Sequence, residues 1–127
     1  MNNSNSVGTF FGVGVGPGDP ELLTLKAINT MKMSDVVIAP KTEKKEGSVA
    51  LSIAMPYILP NAKIVYQTFP MVQNFNELPQ IFEQNTKEIF SFLQRGKNVA
   101  FLTLGDPMFY STYIYIFRLL KKLDVKN

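Results

Sequence analysis

One local pattern occurs twice in this chain of 127 residues. A short apolar segment leads into Gly16-Pro17-Gly18-Asp19-Pro20, and a second leads into Leu104-Gly105-Asp106-Pro107. Each pattern predicts a strand, a glycine turn and a helix, because Asp is a preferred N-cap and Pro suits the first helical position. Such turns lie at the carboxyl edge of an α/β sheet, where ligands bind, and glycine lets a ligand approach the backbone. The pair therefore predicts an α/β fold with a ligand site.

The rest of the chain continues the alternation of strands and helices. Residues 1–8 are expected to form a flexible leader, and strands are predicted at residues 9–15, 36–39, 63–66 and 98–103, with Pro40 ending the second. Helices are predicted at residues 20–32, 48–59, 77–95 and 108–123, with Gly96 just beyond the third. Lys41 begins a predicted loop, and residues 68–76 are expected to be irregular. The order predicts a parallel sheet flanked by helices on both faces.

The last predicted helix is apolar nearly all round. Its aromatic and aliphatic side chains are Phe109, Tyr110, Tyr113, Ile114, Tyr115, Ile116, Phe117, Leu119 and Leu120. Such a helix requires burial on more than one side. The alternation also predicts another strand after it. We therefore expect that the chain is the front part of a longer protein, or that it dimerises through this helix.

Composition restricts the chemistry. The chain has no His and no Cys, which argues against imidazole catalysis, the usual zinc ligands and disulfides, so no metal site is predicted. A net charge of +3 with dispersed lysines does not favour nucleic acid, but it is compatible with an acidic small substrate. No apolar run is long enough for a membrane span, and the N-terminus does not resemble a signal peptide, so a cytoplasmic protein is expected.

The glycine-rich turns do not match the common phosphate-binding motifs. In a dinucleotide fingerprint begun at Gly12 or Gly14, the sixth position would be Pro17 or Asp19 instead of glycine. No Gly-Lys-Ser/Thr follows, as a phosphate loop of the Walker type would need. Aspartates at both helix starts would repel phosphate, so a neutral or cationic guest is favoured. The competing interpretation is that both Asp-Pro pairs only begin helices.

The two turns also carry a family resemblance. The segment from Gly14 to Thr24 resembles the opening motif of the tetrapyrrole methylases, the class III S-adenosylmethionine-dependent methyltransferases. Gly105-Asp106-Pro107 is similar to that family's second motif, and Leu104 to Tyr113 looks most like the branch that methylates precorrin-2, or its cobalt form, at C20 in cobalamin biosynthesis. Ala39-Pro40-Lys41 and Phe69-Pro70-Met71 fit the same branch. Residues 9–127 are thus expected to be the N-terminal domain of a two-domain methylase.

The resemblance implies a cofactor and its contacts. Members of the family hold S-adenosylmethionine in the cleft between two α/β domains and usually form homodimers. The corresponding contacts in this chain are Pro17, Leu104, Gly105, Asp106 and Phe109. Further contacts come from a Thr/Ser-Ala pair after the fifth strand and from the second domain, so this chain alone is expected to be inactive.

Three side chains are candidates for roles in methyl transfer, which mainly requires alignment of the reactants and exclusion of water. Asp106 could attract the cationic cofactor or only cap its helix. Tyr110 could assist loss of the meso proton or orient the ring, or only pack. Lys41 could meet substrate carboxylates, or lie in a solvated loop. A non-catalytic ligand-binding or dimerisation domain, and a class III methyltransferase with another substrate, remain the alternatives.

Overall fold

The computed structural model describes residues 7–14, 25–41, 51, 54–69, 80–103 and 107–125. Four strands are present in this part of the chain, namely β1 (Phe10–Gly14), β2 (Val36–Lys41), β3 (Lys63–Thr68) and β4 (Val99–Thr103). The helices are α1 (Leu25–Lys32), α2 (Gln80–Gln94) and α3 (Pro107–Val125), and a 3₁₀ turn spans Met55–Tyr57. The predictions for residues 1–6 of the leader, for the start of the first helix and for residues 42–50 and 70–79 lie outside the described residues. Gly8, which was expected to belong to the leader, donates its N–H to the Leu93 carbonyl at 2.8 Å.

The strands form one sheet in the order β1-β4-β2-β3. All three pairings are parallel, as predicted. All five residues of β4 are buried, which is expected of a strand with neighbours on both sides and helices over both faces. Because the strands are parallel, their carboxyl ends meet at one edge of the sheet.

Two apolar clusters cover the opposite faces of the sheet, which confirms the prediction of helices on both. The first joins alternate strand residues such as Val13 and Val37 to Ala27 and Met31 of α1. The second packs the other strand residues against α2 and α3, and its buried members include Ile38, Val99, Phe101, Ile89 and Ile116. The two-residue period of the strands explains this division, since neighbouring side chains point to opposite faces.

The prediction that Pro40 ends the second strand is wrong, because β2 continues to Lys41. β2 pairs with β3 along its whole length, whereas its described pairing with β4 ends at Ile38. Val36 donates its N–H to the Asn98 carbonyl just before β4, so the strand's alternation also turns the Pro40 nitrogen toward β4. Since β4 is not paired there, the proline ring costs no ladder hydrogen bond.

The prediction that Gly96 lies just beyond α2 is confirmed. The helix ends at Gln94, and Gly96 has a φ of 80°. Gly96 donates its N–H to the Leu93 carbonyl at 3.0 Å, and Lys97 donates to the Phe92 carbonyl at 3.1 Å. These two bonds form a Schellman motif, and its left-handed residue favours glycine. The turn directs the chain into β4.

The helix α3 begins one residue earlier and ends two residues later than residues 108–123. Over residues 111–123, where its side chains are described, the buried ones are Thr112, Ile116 and Leu120, and Tyr113 and Phe117 beside them are half-buried. β3 also extends to Thr68, where an irregular segment was predicted. Both α3 and β3 are longer than their local sequence predicts, because packing against the rest of the sheet extends them.

Candidate functional site

The two strands that precede the glycine motifs end side by side. Gly14, the last residue of β1, is the register partner of Thr103, the last residue of β4. The segments that follow these two residues contain the two sequence motifs. Because α1 and α3 pack on opposite faces, the chain diverges after the two strands, as it does where α/β sheets bind ligands. The strand ends that precede the two motifs are therefore neighbours at the carboxyl edge of the sheet.

The glycines of β1 have different surroundings. A Cβ built on Gly14 would meet nothing within 4 Å in the described part of the molecule, and Gly14 is exposed. A Cβ built on Gly12 would lie 2.8 Å from Cε2 and Cζ of Tyr113. Gly12 therefore allows the α3 ring to lie against β1, while Gly14 leaves room at the edge of the sheet.

A buried hydroxyl lies between the two strand ends. Thr103 is 5% exposed, and its Oγ1 donates a 3.4 Å hydrogen bond to the Val13 carbonyl. This bond joins β4 to β1 one residue before the first turn begins. Sequence reasoning did not single out Thr103, although a hydroxyl that ends an otherwise apolar strand just before a glycine turn was a usable signal.

Lys41 also lies at the carboxyl edge, in register with Thr68 of β3. Its backbone belongs to β2, so the expectation that it begins a loop is wrong. The described pairing of β2 with β4 ends at Ile38 and Phe101, two residues before β4 itself ends. Among the described residues, strand pairing therefore does not extend between the ends of β2 and β4, at the edge where α/β sheets bind ligands.

Phe109 and Tyr110 lie in the first turn of α3. The helix begins at Pro107, which confirms the prediction of a helix that starts at the second Asp-Pro pair. Both residues thus follow the second turn directly, on backbone that is fixed by the helix. Pro17, Leu104, Gly105 and Asp106 lie outside the described residues.

A polar cluster that sequence reasoning missed holds the carboxyl end of β3. Gln67 is 2% exposed, and its Nε2 donates to the Asn85 carbonyl at 3.1 Å and to Oε1 of Glu88 at 2.9 Å. Asn85 in turn donates from Nδ2 to the Thr68 carbonyl at 3.0 Å. The Oε1 of Gln67 is buried and has no hydrogen-bond partner among the described residues. The cluster fixes α2 against the strand end beside Lys41.

A family model for Tetrapyrrole (Corrin/Porphyrin) Methylases matches residues 9–126. The chain belongs to this family. The match includes both glycine turns and α3, so the family resemblance of the two motifs is confirmed.

Two relatives of this methylase chain are named as cobalt-precorrin-2 C(20)-methyltransferases. A protein from Methanocaldococcus jannaschii named "Probable cobalt-precorrin-2 C(20)-methyltransferase" is 36% identical over 116 residues, which are 91% of this chain and 49% of the relative. A cobalt-precorrin-2 C(20)-methyltransferase from Salmonella typhimurium is 31% identical over 109 residues, covering 86% of this chain and 46% of the relative. The methylase chain thus spans about half the length of these relatives.

A solved structure shows the same fold. A uroporphyrin-III-C-methyltransferase from Thermus thermophilus superposes with a TM-score of 0.57 at 27% identity, over 91% of this chain and 43% of that structure. The parallel α/β architecture of this chain is therefore that of a tetrapyrrole methyltransferase domain.

Within the described part of the methylase chain, no helix is both long enough and apolar enough to cross a membrane.

Proposed function

We propose that this chain is the N-terminal part of an S-adenosylmethionine-dependent methyltransferase that methylates precorrin-2 or cobalt-precorrin-2 at C20 in cobalamin biosynthesis. The observation that carries the proposal is the register of Gly14 with Thr103, since it sets the segments that hold both family motifs next to each other. The 36% identical relative supports the C20 assignment. We further propose that the whole protein is a cytoplasmic homodimer whose second domain completes the site.

The sheet edge is compatible with the cofactor. Gly14 is exposed, and the described edge between the ends of β4 and β2 is not closed by strand pairing. Bare backbone at a sheet edge suits a ligand that approaches closely. The residues proposed to hold S-adenosylmethionine are Pro17, Leu104, Gly105, Asp106 and Phe109. When bound, this cofactor supplies an electrophilic methyl group on a sulfonium.

The residues of this chain align the reactants. In-line displacement requires the acceptor carbon, the methyl group and the leaving sulfur to be collinear, and fixed positioning supplies a large part of the rate. The Thr103 hydroxyl fixes β4 to β1 at the start of the two turns. The ring of Tyr113 on Gly12 fixes α3 behind the second turn. Both contacts join the elements that flank the two motifs, namely β1, β4 and α3.

Two residues are proposed to act on the tetrapyrrole. Lys41 lies at the same edge as the turns, where a cationic side chain would pair with substrate carboxylates. Tyr110 follows the second turn in the first turn of α3, where a phenol would orient the macrocycle or assist loss of the meso proton. Asp106 is proposed to attract the cationic cofactor as well as to cap α3.

The test is a methylation assay with a longer polypeptide. It contains this chain and a C-terminal extension as long as the part of the relatives that this chain does not match. We expect a single methyl transfer to precorrin-2 or cobalt-precorrin-2, located at C20 by NMR of the product. Uroporphyrinogen III is the control substrate, because a uroporphyrin-III-C-methyltransferase shares the fold. Methylation of uroporphyrinogen III alone would contradict the C20 assignment and leave the family intact.

Asp106→Ala separates its two roles in the same polypeptide. If the carboxylate attracts the cofactor, the variant binds S-adenosylmethionine about tenfold or more weakly. Asp106→Asn is the matched variant, since an amide still caps a helix but carries no charge. Equal affinity in wild type and both variants, with lower stability for Asp106→Ala only, would leave Asp106 the capping role alone.

A further inference from the structure

A cavity of about 320 Å³ lies at the amino edge of the sheet, opposite the edge that carries the two turns. It is bordered by the start of β2 at Val36, the start of β3 at Lys63 and the residues that follow α2. β2 has six residues, so the cavity and Lys41 are about 16 Å apart along the strand. The volume is within the range of small-ligand sites, about 300–1,000 Å³.

Three of the four charged side chains around this cavity are cationic. Lys63, Arg95 and Lys97 line it together with one carboxylate, Asp35. Within the described part of the chain, none of the three cations forms an ion pair. Oδ2 of Asp35 already accepts the Asn98 N–H at 2.9 Å. Three positive charges thus face one cavity with one partly engaged negative charge, which raises the local positive potential.

The cations are not needed to satisfy the end of α2. The Phe92 carbonyl accepts the backbone N–H groups of Arg95 and Lys97, both at 3.1 Å. The Leu93 carbonyl accepts those of Gly96 at 3.0 Å and Gly8 at 2.8 Å. Backbone donors therefore occupy these helix-terminal acceptors, and the charged side chains remain available for a ligand.

The backbone that carries these cations is fixed on both sides of the cavity. Asp35 donates its N–H to the Asn98 carbonyl at 2.9 Å, and Lys63 donates its N–H to the Asp35 carbonyl at 2.9 Å. The Asn98 side chain accepts the Thr9 N–H at 2.9 Å and donates to the Met33 carbonyl at 3.2 Å. Lys63 also places its ammonium 5.3 Å from the Phe92 ring centroid, which restricts that side chain.

We propose that this amino-edge cavity binds a small multivalent oxyanion of the phosphate or carboxylate class. Arg95 supplies a planar fork that fits two oxygens at once, and Lys63 and Lys97 supply point charges. The partly apolar floor, with Val36 and Phe92, excludes water from one side of the ligand. The proposal concerns the opposite edge of the sheet from the methyltransfer site and does not depend on that activity.

The test is a titration of the chain with sodium pyrophosphate, and separately with citrate, at constant ionic strength, followed by amide NMR. We expect saturable shifts at Lys63, Gly96 and Lys97, and an Arg95→Gln/Lys97→Gln variant that binds at least about tenfold more weakly. Saturation by pyrophosphate alone assigns a phosphate ligand, and saturation by both assigns a site that recognises oxyanions of either class.

The matched control is Lys87→Gln, an exposed charge on α2 that does not line this cavity. The double variant Lys87→Gln/Lys122→Gln removes two positive charges, as the test variant does. It is expected to alter the affinity for the anion less than about twofold, because exposed distant charges are screened. Melting curves of all variants verify that they are folded. Absence of saturable shifts with either anion, or equal weakening by the control, would overturn the proposal.

Discussion

At Gly12, the absence of a side chain determines how closely α3 approaches the sheet. The Tyr113 ring that occupies this space also stacks on Phe10, with ring centroids 5.1 Å apart. Phe101 of β4 lies 6.2 Å from the same ring. One glycine therefore allows an aromatic group to tie together β1, β4 and α3 just behind the second turn.

Gly12→Ala is expected to destabilise the protein by about 1–3 kcal/mol, because its Cβ would overlap the Tyr113 ring. Gly14→Ala is the matched control on the same strand, since its Cβ would meet nothing within 4 Å among the described residues and the loss should stay within about 0.5 kcal/mol. Urea denaturation measures both. In a Tyr113→Ala background, Gly12→Ala should cost clearly less, whereas an unchanged cost would refute the contact as the cause.

Gln67→Glu tests the buried polar cluster through its pH dependence. The new carboxyl would face Glu88 and the Asn85 carbonyl in a buried position, so its folded pKa would rise above the unfolded value of about 4.3. The variant should therefore lose about 2–4 kcal/mol near neutral pH. The loss should disappear as the pH falls below about 4, where both states are protonated.

The control for this variant is Gln80→Glu, the same change at the exposed first residue of α2. Denaturation from about pH 3 to 8 should give no comparable pH-dependent loss there. A Gln67→Glu variant that is equally destabilised at all pH values would show that shape, and not charge, is responsible.

At the scale of elements, the glycine after α2 determines where β4 starts. Gly96→Ala is expected to cost about 1–2 kcal/mol, because φ of 80° is unfavourable for a residue with a Cβ. Gly96→Asn should cost less than Gly96→Ala, since Asn tolerates this conformation better. Thermal melts distinguish them, and an Ala variant as stable as wild type would contradict the conformational argument.

The sequence predicts elements well where the signal is local. Apolar runs located all four described strands, and Gly96 located the end of α2, because period and turn chemistry are properties of neighbouring residues. The prediction that β2 ends at Pro40 was wrong, because a strand accepts proline where the neighbouring strand is not paired with it. That depends on where β4 stops pairing with β2. The role of Gln67 was missed because its partners are 18 and 21 residues away in the chain.

At the scale of the whole molecule, the sequence predicted the parallel sheet and the ligand edge but not the order β1-β4-β2-β3. That order makes the two motif-bearing segments neighbours although Gly14 and Thr103 are far apart in the chain. Strand order depends on long-range pairing, which a single sequence does not encode locally. The two-domain organisation stays a prediction from the family resemblance, and the chain spans about half the length of the curated relatives it matches.

Calorimetric binding of S-adenosylmethionine tests the central claim most directly. The account predicts saturable binding by a polypeptide that contains this chain and the further length of its relatives, and much weaker or no binding by this chain alone. Gly105→Val should abolish binding in the longer polypeptide, because a branched side chain would occupy the space by which the cofactor approaches the backbone. Lys87→Gln is the control and should bind like wild type. Failure of the longer polypeptide to bind S-adenosylmethionine would contradict the account.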